Sequence, residues 1–227
     1  MREILSVAKL IYRKDIAIER RSRETLFTVV SFGLLATLVF SLSFFIENDV
    51  SGAYAPGVIW VVVLFASTLG LQRLFDAERE NDCFGGLLLA PIDLRGVYLG
   101  KLCVQLTFSG LMELCTIPLI FLFFDLFSLM DSARCITLLA LLLLGTVGFA
   151  IIGTLFAAML LSTRLRDVLL PIVVYPLVTP VIIAGVQGTR ALFGGVEAAT
   201  HWVTLIGAFD LIYLGLALAI FPKMLRA

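Results

Sequence analysis

Residues 135–163 read C-I-T-L-L-A-L-L-L-L-G-T-V-G-F-A-I-I-G-T-L-F-A-A-M-L-L-S-T, 29 residues without one Asp, Glu, Lys or Arg. A helix of about 20 apolar residues already crosses a hydrocarbon layer about 30 Å thick. Backbone groups in lipid must bond within their own segment, so a run of this kind is helical. This one is long enough to cross at a tilt, and it sets the class of the whole chain.

Working outward, five more apolar runs follow the same rule. Thr25–Ile46 and Val50–Gln72 carry no charge, and Val168–Thr189 carries none but holds Pro171, Pro176 and Pro180. Leu102–Phe124 is interrupted only by Glu113, and Ala198–Pro222 only by Asp210. The expectation is an all-α integral membrane protein with six transmembrane helices over residues 25–227. The 227 residues are 60% hydrophobic and only 15% charged, beyond what a soluble core requires. A formal net charge of zero gives no bulk attraction to nucleic acid.

Lys and Arg set the orientation. Residues 1–24 hold seven of them, the segment 73–101 holds Arg73, Arg79, Arg95 and Lys101, the connector near 165 holds Arg164 and Arg166, and the tail holds Lys223 and Arg226. The intervening connectors hold only Arg134 and Arg190. This split places both termini and the segment 73–101 in the cytoplasm.

Residues 1–24 are patterned as well as basic. On a helical wheel Arg2, Lys9, Arg13 and Arg20 form one stripe, with Ile4, Val7, Ala8, Ile11 and Ile18 nearly opposite and Asp15 intruding among them. This pattern predicts an amphipathic helix in the headgroup region, with a loosely ordered basic leader as the alternative. It is not a cleavable signal peptide, because the apolar run behind it is too long.

The segment 73–101 is the longest charged stretch between spans. Phe84, Leu87 and Leu88 share one face at i, i+3, i+4 spacing, flanked by Glu78, Arg79, Glu80 and Asp82. Pro91 follows, and Asp93 stands where it would cap the third span. An apolar patch on such a loop calls for a protein or membrane partner, and the flanking acids argue against anionic lipid.

Inside the membrane three features stand out. Thr146, Ala150, Thr154 and Ala158 recur every four residues beside Gly153 and Ala157, a stripe on which helices pack closely. The three prolines predict a kinked or partly broken fifth span, either lining a cavity or merely bent. Glu113 and Asp210 sit at similar depth with no Lys or Arg near that level, so each faces a polar group, water or the other acid. Two readings are open: a polar lining or docking spot for a partner helix, and two acids packed in a seam.

Catalytic signatures are absent from the sequence. There is no GxxxxGK[ST], GxSxG or HExxH, so no catalytic residue and no metal site is assigned. The single His201 stands beside Trp202 at the outer edge of the last span, as an interfacial residue or a lone haem ligand. The four cysteines form no CxxC, and read as small apolar packers. Cys103 and Cys115 fall about 18 Å apart on one helix, too far to bond.

Three stretches carry a family resemblance. L-G-L-Q-R-L-F-D-A-E-R-E-N-D-C-F-G-G-L-L-L-A-P-I resembles the first cytoplasmic loop of the haem exporter protein B (CcmB) family, ABC-2-type permeases of cytochrome c maturation. R-D-V-L-L-P-I-V-V-Y-P-L-V-T-P-V-I-I-A resembles that family's Pro-rich fifth span, and R-K-D-I-A-I-E-R-R-S-R-E-T-L its entry helix. In the loop, N-D-C-F-G-G stands where the family often has D-G-S-L-E-Q.

The resemblance implies a homodimeric permease in the cell (inner) membrane, with ATP hydrolysed on a separate ABC subunit. Coupling would run through Glu78, Arg79, Glu80, Phe84, Leu87, Leu88, Pro91 and Asp93. It further implies haem as the handled ligand, with a haem-handling membrane protein and a haem chaperone as partners. The alternatives are an ABC-2-type exporter of lipid, drug or glycan, and a membrane scaffold with no transport cycle.

Overall fold

A computed structural model describes residues 2–44, 51–80, 86, 89, 91–161 and 163–224. Its helices are α1 (Arg2–Ser22), α2 (Glu24–Phe44), α3 (Ser51–Arg73), α4 (Asp76–Glu80), α5 (Leu94–Phe123), α6 (Ser132–Met159), α7 (Arg166–Gly194) and α8 (Val196–Met224). Among the described residues there is no strand. Six of these helices, α2, α3 and α5 to α8, are long and apolar enough to cross a membrane. The chain is a multi-pass membrane protein.

The sequence explains how each turn is made. One residue, Arg23, joins α1 to α2 in a left-handed conformation (φ 58°). The Glu19 carboxylate of α1 then accepts the Leu26 N–H at 2.7 Å, satisfying an orphan donor in the first turn of α2. Asp93 caps α5 by accepting from Arg95 N at 2.9 Å, and Asp131 caps α6 by accepting from Arg134 N at 2.8 Å.

The core forms around α6, which packs against α3, α5, α7 and α8. Its small residues explain why. A Cβ on Gly145 would overlap the Trp60 ring of α3, and one on Gly153 would overlap Leu71. Thr146, Ala150, Thr154 and Ala158 are all buried. Trp60 is wholly buried between Gly145 of α6 and Gly185 of α7, and its Nε1 donates to Thr189 Oγ1 at 3.0 Å. An indole buried in this way needs that one acceptor. The α2 helix applies the stripe Val29, Gly33, Thr37 and Ser41 to the protein, with Gly33 against Met112 and Thr116 of α5.

The structure sharpens two expectations and overturns one. Of the two forms expected for the Pro-rich span, kinked or partly broken, the broken one does not occur: α7 runs unbroken from Arg166 to Gly194. Pro171 denies the Asp167 carbonyl its helical partner, and Gln72 Nε2 of α3 supplies the replacement at 3.0 Å. The helix of the third span begins at Leu94, as a cap at Asp93 requires, so Lys101 lies inside it rather than in the connector where the count of basic residues had put it. Cys103, Cys115 and Cys135 are exposed on the helix surfaces rather than packed inside.

Candidate functional site

At the charged end of the bundle, α1, the α3–α4 corner and the start of α5 meet. Two glycines bring α1 in. A Cβ on Gly96 would stand 2.8 Å from the Ile4 carbonyl oxygen, and one on Gly100 would stand 2.8 Å from that of Ala8. Val7 and Ile11, from the apolar stripe of α1, pack into this notch. The helix is amphipathic as its sequence predicts, with part of its apolar face on α5 while Leu5, Leu10 and Ile18 stay exposed.

Close approach of the two backbones places Asp15 above Lys101. The Lys101 side chain is 1% exposed. Its Nζ donates to Leu74 O at 2.8 Å and to Glu78 Oε2 at 2.6 Å, and lies 2.9 Å from Asp15 Oδ2. The same ammonium sits 4.7 Å from the centroid of the Phe75 ring. Lys14 closes the cluster: it is hydrogen-bonded to Glu78 Oε1 and ion-paired with Asp15 Oδ1 at 3.1 Å. Two cations thus meet two carboxylates, and the charges of the cluster balance once the half-exposed Lys14 is included.

Burial works against the Lys14 charge. The hydrogen bond to Glu78 and the charges of Asp15 and Glu78 outweigh it, so its pKa is held above 10.5. The sequence pattern missed this cluster. Its signals were the Gly96-x-x-x-Gly100 spacing and the acid set in the apolar stripe of α1.

On the other side of α4, Arg166 opens α7 almost fully buried, and its Nη2 pairs with Asp76 Oδ1 at 3.0 Å. Its Nε and Nη1 find no partner among the described residues. Gln72, Arg73, Asp76, Arg79 and Asp167 line a cleft of about 580 Å³ beside it.

The coupling residues expected from sequence divide into three groups. Arg79 and Pro91 are exposed, and Asp93 caps α5. Glu78 is not on an exposed rim: it is buried, and its carboxylate faces Lys101 and Lys14. Burial here follows from the two cations supplied by α1 and α5, which no local pattern displays. Glu80 ends α4, while Asp82, Phe84, Leu87 and Leu88 lie outside the described residues.

Deep in the membrane region, the two carboxylates flank α6 on different sides and do not meet. Glu113 of α5 accepts a hydrogen bond from Thr146 Oγ1. Asp210 of α8 is also buried, against Gly148 and near Val181 of α7. Neither Asp210 oxygen has a partner among the described residues. His201 is exposed at the far end of α8, edge-on to Trp202 at 5.9 Å.

Comparison with known proteins agrees with this architecture. The family described as CcmB protein matches residues 6–227. A protein named Heme exporter protein B from Pseudomonas aeruginosa is 30% identical over 213 residues, covering 92% of this chain and 93% of the relative. Proteins of the same name from Paracoccus denitrificans and Haemophilus influenzae are 27% and 26% identical over 92% of this chain. The chain belongs to the CcmB family.

Proposed function

We propose that this chain is the permease subunit of an ABC transporter complex for cytochrome c maturation, acting in haem export or delivery to a haem chaperone. ATP is hydrolysed on a separate subunit, which docks on the segment 73–101. Arg79, Glu80, Phe84, Leu87 and Leu88 make the contact, and Glu78, Pro91 and Asp93 hold its two ends. The permease works as a homodimer in the cell inner membrane, with both termini in the cytosol and a haem-handling membrane protein beside it.

The observation that carries this reading is the family match across residues 6–227, with relatives named as haem exporters over nearly their whole length. The charged end supports it further. Movement imposed on a loop is carried onward by rigid elements and bonded networks at its ends. Here α4 is tied to Lys101 on one side and α5 is capped by Asp93 on the other. Affinity capture of the tagged chain in mild detergent, followed by mass spectrometry, tests the reading. An ATP-binding subunit and a haem-handling membrane protein are expected in the eluate. Capture of the permease without any ATP-binding protein would favour the scaffold alternative.

A further inference from the structure

We propose that the quartet Lys14, Asp15, Glu78 and Lys101 is a positioning site that makes α1, the α3–α4 corner and α5 move as one unit, with Lys101 as its central residue. This inference rests on the coupling role assigned to the segment 73–101.

The geometry around Lys101 carries it. An ammonium has three donors. Here three oxygens from three elements surround it: the Leu74 carbonyl at the end of α3 and Glu78 of α4 accept its hydrogen bonds, and Asp15 of α1 is its ion-pair partner at 2.9 Å. A buried ion pair is weak support for stability alone, since apolar residues of similar volume often serve as well. A buried charge with one partner removed, by contrast, is strongly disfavoured. The quartet is therefore intolerant of partial separation: moving α4 or α5 away strands a charge, and moving α1, which carries one charge of each sign, breaks its pairs to both Glu78 and Lys101. A push on α4 is cheaper to accommodate by moving α1 and α5 with it than by opening the cluster. The glycine notch at Gly96 and Gly100 acts in the same direction, leaving no slack between α1 and α5.

Lys14 is the one member that is well exposed, at 42%. It closes the cluster from the outside, whereas Lys101 bridges all three elements from within. Substitution of Lys101 alone leaves Asp15 and Glu78 to share one cation, and such a variant is prone to misassemble. The double variant Asp15→Asn with Lys101→Met removes one charge of each sign and keeps the Lys14–Glu78 pair. It breaks the joint without leaving an excess buried charge.

The test uses the full complex captured through the tagged permease, comparing wild type, Lys101→Met and the double variant. Three quantities are read: recovery of the ATP-binding subunit, amide exchange in α1 and α4, and the yield of haem-stained c-type cytochrome in the cells. For the double variant, recovery is expected within about twofold of wild type. Exchange in α1 and α4 should rise about tenfold or more while α6 and α7 keep their protection, and cytochrome yield should fall about tenfold. Unchanged exchange, or unchanged cytochrome yield despite faster exchange, would overturn the proposal. So would parallel loss of the ATP-binding subunit, which would assign the quartet to holding the docking surface only. If the wild-type chain captures no ATP-binding subunit, the coupling reading fails separately, and the transmission role falls with it.

Discussion

The notch that receives α1 gives the sharpest test of how the charged end is built. In Gly96→Ala with Gly100→Ala, each new methyl meets backbone: 2.8 Å from the Ile4 carbonyl at one position and 2.8 Å from the Ala8 carbonyl at the other. A carbonyl cannot rotate away as a side chain can, so α1 itself must retreat by roughly half an ångström to restore ordinary contact. Overpacking of this kind costs about 1–3 kcal/mol. The same substitutions favour α5 as a helix, by about 1 kcal/mol per residue relative to glycine. The two effects nearly cancel in a global melt, which is therefore the wrong assay. They separate in local amide exchange, because α5 gains protection while α1 loses it. A cost of about 2 kcal/mol corresponds to about a 30-fold rise in exchange through α1. Retreat also lengthens the Lys101–Asp15 pair, which starts at 2.9 Å. Unchanged exchange in α1, with α5 stabilised as expected, would refute the backbone contact and with it the rigid seating of α1.

Other outcomes follow from single contacts. Gln72→Leu should leave the exposed Asp167 carbonyl, four residues before Pro171, to water and lower stability by about 0.5–1 kcal/mol, seen as a slightly lower melting temperature of the detergent-solubilised chain. Glu113→Ala should destabilise the bundle, whereas Asp210→Ala should be neutral or stabilising by about 1–2 kcal/mol, measured in the same melts. Because the Lys14 pKa is held above 10.5, its contribution is complete below that pH and is lost as pH rises through the folded value; exchange in α1 should stay flat to about pH 10 after correction for the intrinsic rate. A cysteine placed at Asp82 should resist membrane-impermeant thiol reagents in intact cells, as a cytoplasmic position requires; labelling from outside would invert the topology.

The spans, the amphipathic first helix and the Asp93 cap were legible because each depends on neighbours in the chain. Apolar length, wheel position and the spacing from cap to first turn are local quantities. The interior of the charged end was not legible in the same way. Counting Lys and Arg for orientation treats every cation as solvated, and so Lys101 counted as a loop residue. Its burial depends on Asp15 and Glu78, which arrive from two other helices. Asp15 looked like a flaw in an apolar stripe because its partner was invisible. The prolines of α7 left a kink and a partial break both open for a related reason: the rule for a lost N–H is local, but the replacement donor, Gln72, lies on another helix. The role of Trp60 likewise appears only when Gly145, Gly185 and Thr189 are brought round it.

The two membrane-embedded acids give the seams of the bundle unequal strength. The α2 and α8 helices bury the smallest shares of their apolar windows, 22% and 17%, against 67% for α3. Asp210 rides on one of these peripheral helices and presses against α6 at Gly148, with neither oxygen hydrogen-bonded among the described residues. An unpaired polar group is at its worst when packed dry, and it gains about 1–3 kcal/mol once it finds a hydrogen-bond partner. Water admitted between α6 and α8 would therefore recover through Asp210 only part of what is lost in packing along that contact. Glu113 has the opposite effect. Its bond to Thr146 closes the seam between α5 and α6, and opening that seam would forfeit the bond. The α5 side of α6 is thus held by a bond as well as by packing, whereas α8 is held to α6 by packing alone at Asp210, along the most extensive helix–helix contact among the described residues.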